Sequence, residues 1–365
     1  MTTASLTISF RQYVILQLMV FGGTSFFLYP YFIIQSTSRS YWLPVVAWFL
    51  LGLAGAWIFT RMLAKKPGSD AYAVSKQEFG RIGILLFHLP LMAFAWNTIV
   101  LMIRAHAEII SMTMLHATPQ WFLNAFLFVS LFLASGGFKS IVRTAGVFTI
   151  VSVPLSIGLT IVGLSDIQPG LGRPWLRCNR DFLHSPTFYA ASYMWAGFVY
   201  FAVCGKYTKK PGQLWKAYAA AAAIFLPLIF SAVYLPILTF GPELSKSLTF
   251  PYISKMDSIS KYGLVFENLT AIFISVSILY VILTVAMMIN CLGVGVQALF
   301  PKWQRKWVYV CIGILTYGTA LVIPSWHWIE RAVVWDTPLR LYVMFIFPLA
   351  VLLKSRIREG KSRES

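Results

Sequence analysis

Uninterrupted apolar runs, each about 17–25 residues long and so long enough to carry a helix through a bilayer core, recur along almost the whole chain. Ten are placed, at 11–34, 43–63, 82–103, 119–136, 144–164, 187–204, 217–240, 266–290, 306–324 and 338–354. The runs are continuously apolar and do not alternate, which predicts helices and excludes a transmembrane barrel. A hydrophobic fraction of 58% with only 12% charged residues agrees: a soluble fold of this length has too little surface to hide that much apolar area. The expectation is an all-α integral membrane protein forming one domain over residues 1–365.

The net charge of +18 follows from topology. With the N-terminus in the cytoplasm, ten crossings place 20 of the 30 Lys and Arg residues, but only four of the twelve acids, in cytoplasmic segments. That distribution obeys the positive-inside rule and predicts both termini in the cytoplasm, with residues 355–365 as a basic tail. It accounts for the basicity without a nucleic-acid partner. Cys178, Cys204, Cys291 and Cys311 are scattered without CxxC spacing, and the five histidines form no ligand pattern, so neither a metal nor a cofactor is expected. The apolar run after Arg11 is longer than a signal-peptide core and lacks a small-residue cleavage site, so the first span is expected to be retained.

The long polar connection at 165–185 divides the ten spans into two sets of five, 11–164 and 187–354. Five is odd, so the second set enters the membrane from the opposite side, which is the inverted five-plus-five arrangement of many secondary transporters. Both sets open with a span that is weak as a helix. In the first, Gly22, Gly23, Thr24 and Ser25 stand where the helix should be most regular. In the sixth, Ala196 and Gly197, followed by Phe198, stand near the middle. Glycine costs up to about 1 kcal/mol relative to alanine inside a helix, and a broken helix at membrane depth is tolerated only against protein, water or ligand. Half-helix ends offer positive charge at an N-terminus and negative charge at a C-terminus, a match for a small zwitterion. Close helix packing through glycine is the competing explanation.

Other polar residues are candidates for the same site. Asn97, Arg104 and Glu108 share one face of the third span, with Arg104 and Glu108 spaced to pair near its outer end, either as a gate or as a solvated end-pair. Ser277, Tyr280 and Thr284 share a face of the eighth span, where they either line a cavity or bond back to their own helix. Leu248, Phe250, Tyr252 and Ile253 are candidates to cap an outer vestibule. The apolar parts of the spans hold no acidic or basic residue clearly at mid-depth, which argues against a proton-coupled pump.

Four segments resemble the B-subunit of bacterial spore germinant receptors (the GerAB-type family), a branch of the amino acid–polyamine–cation transporter superfamily. "ISFRQYVILQLMVFGGTSFFLYP" is similar to that family's opening, with an early Gln, a mid-span Gly and a closing Pro. "RAHAEIISMTMLHATPQW" resembles its Arg, Glu and Thr-Pro segment, "GGFKSIVRTAGVF" its Gly to Arg connection, and "TFPYISKMDSISKYGLVFENLTAIF" its Phe-Pro segment. The chain departs from the pattern in carrying Glu267-Asn268-Leu269-Thr270 before the eighth span and in lacking a tryptophan near Ser277.

The resemblance implies a LeuT-like fold with broken first and sixth helices, an inner spore membrane or cell membrane location, and A-type and C-type receptor subunits as partners. It implies a sensor that binds a small nutrient, commonly an amino acid, and signals germination. The expected seat joins Gly22, Gly23, Thr24 and Ser25 to Ala196, Gly197 and Phe198, with Asn97, Tyr280 and Thr284 flanking it. An amino acid or cation permease using the same site is the first alternative, and a ligand-gated ion or water conduit the second. No nucleophile–base pair suggests an enzyme.

Overall fold

The computed structural model describes residues 7–173, 179–208, 210–259 and 269–363. Cys178, Lys209 and the Glu267-Asn268 pair lie outside the described residues. Every described span is helical, and helices occupy all ten expected places. Seven are long and apolar enough to cross alone: Trp42–Ala64 (span 2), Ala71–Thr113 (span 3), Phe138–Gly163 (span 5), Pro186–Tyr207 (span 6), Gly212–Phe240 (span 7), Leu269–Leu299 (span 8) and Thr337–Arg358 (span 10). Two places hold bent pairs. Phe10–Ser25 and Leu28–Ser36 meet at 62° and form span 1, while Arg305–Val322, span 9, is followed at 117° by Trp326–Trp335. The apolar stretch Gln120–Ser135 is shorter than the other spans and stands at the place expected for the fourth, here labelled span 4; by length and composition the described helices give seven crossings, or nine with each bent pair taken as one.

Local chemistry explains the main departures from the expected boundaries. Span 3 starts earlier because Asp70 caps it, its carboxylate accepting from the Ala73 N–H at 2.7 Å. An amphipathic stretch, Ala71–Gly83, then precedes the apolar run, with a kink at Gly80, where φ is +58°. Span 3 also continues ten residues past the expected end at 103. Arg104 and Glu108 do not terminate it, because they pair inside the protein and need no water to solvate them. At the start of span 1, Ser9 and Gln12 form a reciprocal capping box, which satisfies orphan amides at the helix end.

Four of the five helix pairs at corresponding places in the two halves are in contact. Spans 1 and 6, 2 and 7, 3 and 8, and 4 and 9 each touch their counterpart in the other half. Spans 6 and 8 form the centre, with 94% and 78% of their most apolar stretches buried, whereas span 5 buries only 22% and lies at the outside of the bundle. Between spans 7 and 8 lie two short helices, Pro242–Ser247 and Pro251–Asp257. The second sets Tyr252 against Phe26 and Phe273, with ring centroids 5.1 Å apart in both pairs.

Candidate functional site

Span 1 does break, but two residues beyond the expected place. Gly22 through Ser25 remain helical, and the chain turns at Phe26 and Phe27 before restarting at Leu28. The glycines serve a different end. A methyl group built on Gly22 would come within 2.6 Å of three atoms of the Tyr280 ring, and one on Gly23 within 3.0 Å of Thr284 Oγ1. Span 8 therefore packs directly on the backbone of span 1, which is the close-approach use of glycine in membrane helices. Thr24 and Ser25 bond back to carbonyls of Val20 and Phe21 in their own helix. That leaves the turn itself uncovered. Neither Phe26 nor Phe27 donates a backbone hydrogen bond, and no side chain caps the N-terminus of Leu28–Ser36. The bend thus holds the C-terminal carbonyls of Phe10–Ser25 and the N-terminal amides of Leu28–Ser36, groups that a helix end leaves without partners in its own helix.

Beside this bend is a cavity lined by Gly23, Thr24, Phe27, Leu28, Met102, Ala105, His106, Ile109 and Tyr193. Span 1 supplies the first four, span 3 the next four and span 6 the tyrosine. The cavity holds about 10 Å³ of space open to a water centre, room for one water. Three rings stand in its wall, Phe27, His106 and Tyr193, and Phe27 meets the His106 imidazole edge-on at 4.7 Å; outside the wall, Phe26 at the bend contacts Phe225, Tyr252 and Phe273. His106 Nε2 lies 3.3 Å from Ser277 Oγ on span 8, while Ser277 Oγ also donates to the Ile274 carbonyl.

Of the residues singled out in the sequence, Gly23 and Thr24 line the cavity, with Gly22 and Ser25 alongside. Tyr280 and Thr284 back the first span from behind: the Tyr280 hydroxyl is 3.0 Å from Ser156 Oγ, and Thr284 Oγ1 donates to the Tyr280 carbonyl at 2.8 Å. In span 6 the α-helical winding gives way to a 3₁₀ turn over Ala196–Tyr200, between the short helices Ser192–Trp195 and Phe201–Cys204. This interruption lies at the expected residues, but it tightens the helix where span 1 bends. Gly197 admits the Val20 side chain of span 1, and Phe198 points toward spans 2 and 7, touching Phe59 and Tyr218. Neither reaches the cavity; the contribution of span 6 comes one turn earlier, from Tyr193. Asn97 is half-buried on a different face of span 3 from Met102, Ala105 and His106.

Arg104 and Glu108 form an internal brace. Arg104 is 3% exposed and Glu108 14%. Arg104 also donates to the Ile323 carbonyl at 2.9 Å and to Gln120 Oε1 at 3.0 Å, tying span 3 to span 9 and to the start of span 4. A second brace has no signal in the sequence. Arg340, fully buried near the start of span 10, pairs with Asp336 at 3.1 Å and donates to the Ala190 carbonyl at 2.8 Å and to Ser192 Oγ at 3.0 Å. Its guanidinium also sits 5.5 Å from the ring centre of Tyr193, the cavity residue. Between spans 1 and 6, Gln17 is fully buried with neither its amide nitrogen nor its oxygen bonded, and the Tyr200 hydroxyl is likewise unpaired.

An all-helical, multi-pass bundle of two inverted halves, with its first span bent beside a small polar-and-aromatic cavity, belongs to the class of secondary-transporter folds. The profile of spore germination proteins matches residues 7–324, and the chain belongs to that family. The crystal structure of MhsT in complex with L-phenylalanine has the same fold, with a TM-score of 0.66 at 15% identity, covering 96% of this chain and 98% of that one. A search of curated proteins finds no match to the chain.

Proposed function

We propose that the chain is the nutrient-binding membrane subunit of a spore germinant receptor, and that the nutrient is an amino acid. It resides in the inner spore membrane with both termini in the cytoplasm and works beside A-type and C-type subunits. The observation that carries this reading is the uncapped bend of span 1 at Phe26–Phe27, opening onto a cavity shared by spans 1, 3 and 6 in a member of the spore germination family. The amides beginning Leu28–Ser36 suit a carboxylate, and the carbonyls ending Phe10–Ser25 suit an ammonium. Leu28, Met102 and Ile109 suit an apolar side chain. A structural neighbour solved with L-phenylalanine supports an amino acid over other nutrients.

The cavity is too small for an amino acid as it stands, so binding must displace the Phe27 and Tyr193 rings. That requirement supplies the signal. A ligand that binds only the widened form shifts the population toward it. Tyr193 carries the change toward span 10 through Arg340, and span 1 carries it to span 8 through the Gly22 contact. The chain binds and signals by this route without chemical conversion of the ligand, so it is not an enzyme. Permease activity at the same seat is the second reading, favoured by the end-to-end likeness to MhsT.

The test is Gly23→Leu, whose side chain crowds the cavity residue Met102 and also Thr284 of span 8, read together with Ala105→Leu, which adds bulk at the cavity wall, and with Gly146→Leu, a glycine with no atom within 4 Å of an added Cβ; thermal unfolding first establishes that each variant is folded. The expected result is loss of nutrient-triggered germination and of ligand affinity in the first two variants only. Intact germination in either Gly23→Leu or Ala105→Leu refutes this seat. Uptake of labelled amino acid into proteoliposomes holding the chain alone decides for a permease.

A further inference from the structure

Spans 2 and 10 run side by side at the basic face of the protein and leave between them a groove of about 520 Å³. Its lining is ordered by depth. From span 2 come Trp57 and Ile58, then Arg61 and Lys65; from span 10 come Leu349, Leu352 and Leu353, then Arg356. Residues 57, 61 and 65 recur at intervals of four, so they form one stripe along span 2. Residues 349, 352, 353 and 356 form the matching stripe on span 10. Both stripes are apolar toward the membrane interior and cationic toward the end of the helix. About 12 Å of helix rise separates Trp57 from Lys65, the thickness of a head-group layer with its first methylenes.

We propose that this groove is a binding site for an individual anionic phospholipid, its phosphate held by Arg61, Lys65 and Arg356 and its acyl chains lying on Trp57, Leu349 and Leu353. Three observations on the groove select this occupant. Among the described lining residues there is no carboxylate, and three cations from two different helices converge on the groove. Its floor is exposed and apolar, with Leu353 60% exposed and Trp57 46% exposed, as fits acyl chains and not a water-soluble anion. Lastly, the Arg61 guanidinium lies over the Trp57 indole at 5.2 Å, an arrangement that sets an aromatic ring at head-group depth and presents the cation outward. Basic pockets between membrane helices on the cytoplasmic side recognise anionic head groups by the same physics. The site abuts span 10, whose other end carries Arg340, so an occupied groove would hold the two ends of that span in a fixed relation to spans 2 and 6.

The experiment measures lipid retention by native mass spectrometry on the purified full-length protein, equilibrated with equal amounts of phosphatidylglycerol and phosphatidylcholine. The expected result is one tightly held phosphatidylglycerol, with preference falling about fivefold for each of Arg61→Gln, Lys65→Gln and Arg356→Gln. Lys302→Gln and Lys306→Gln, which remove cations elsewhere on the same face, should leave retention unchanged. Equal retention of both lipids, or equal losses from all five variants, overturns the proposal. A second readout needs no charge variant. Bromine-labelled phosphatidylglycerol should quench tryptophan fluorescence more than bromine-labelled phosphatidylcholine, and Trp57→Phe should abolish that difference. Soluble glycerol phosphate should not compete; if it displaces the lipid at similar concentration, the site recognises free phosphate and the lipid assignment fails.

Discussion

Replacing Gly22 by alanine tests the contact on which the central packing rests. The new methyl would lie within 2.6 Å of three Tyr280 ring atoms, against an ordinary carbon–carbon contact of about 3.5–4.0 Å, so ring and helix must part by about 1 Å. The ring has nowhere easy to go. It is fully buried, and its hydroxyl lies 3.0 Å from Ser156 Oγ on span 5. Overpacking of this kind costs about 1–3 kcal/mol, while alanine returns up to about 1 kcal/mol in helix propensity. The net expectation is a loss of about 1–2 kcal/mol. Gly146→Ala and Gly158→Ala, where no atom lies within 4 Å of an added Cβ, should be neutral or gain up to about 1 kcal/mol. Thermal unfolding of the detergent-solubilised variants, followed by size-exclusion fluorescence, ranks them. Shrinking the partner side chain in Gly22→Ala/Tyr280→Leu should recover part of the loss, giving a coupling of about 1 kcal/mol or more in a double-mutant cycle. If Gly22→Ala unfolds no lower than Gly146→Ala, or the cycle shows no coupling, spans 1 and 8 do not meet as described.

Two further substitutions probe buried polar groups. Gln17→Met replaces an amide whose nitrogen and oxygen are both unpaired with an apolar side chain of similar length, and should raise the unfolding temperature by the equivalent of about 1–3 kcal/mol; a fall would mean that the amide has a partner in the working protein. Arg340→Met leaves Asp336 buried without its cation and frees the Ala190 carbonyl, so stability should drop by about 3–5 kcal/mol. The double variant Arg340→Met/Asp336→Leu should regain much of that loss, and failure to regain any would assign the effect to the bonds with span 6 alone.

The helical layout was legible because lipid imposes one rule, that backbone polar groups pair within the segment, and apolar runs of the required length announce it. Parity then gave the inverted halves. What the sequence hid were features set by contacts between segments. Gly22 and Gly23, followed by Thr24 and Ser25, read in the sequence as a break in preference to a packing surface, and only the position of Tyr280 and Thr284 on span 8 decides for packing, with the bend at Phe26–Phe27. The end of span 3 is hidden for a related reason: by sequence Arg104 marks a helix boundary, and only Glu108, Gln120 and the Ile323 carbonyl around it show why the helix continues. His106 and Tyr193 gave a faint signal. An ionisable ring among apolar residues of a span is uncommon enough to mark a candidate, but its partner on span 6 lies 87 residues away in the chain. Arg340 was invisible as a brace, since an arginine at the outer end of an apolar run is also the ordinary sign of a membrane boundary.

The central claim is that a nutrient is held at the bend of span 1. A structure of the protein saturated with the nutrient that triggers germination measures this directly. The account predicts ligand density bounded by Gly23, Thr24, Phe27, His106 and Tyr193, its carboxylate toward the amides that begin Leu28–Ser36, and the Phe27 and Tyr193 rings moved outward to enlarge the cavity. Ligand density at any other place, with the bend and its rings unchanged, would contradict it.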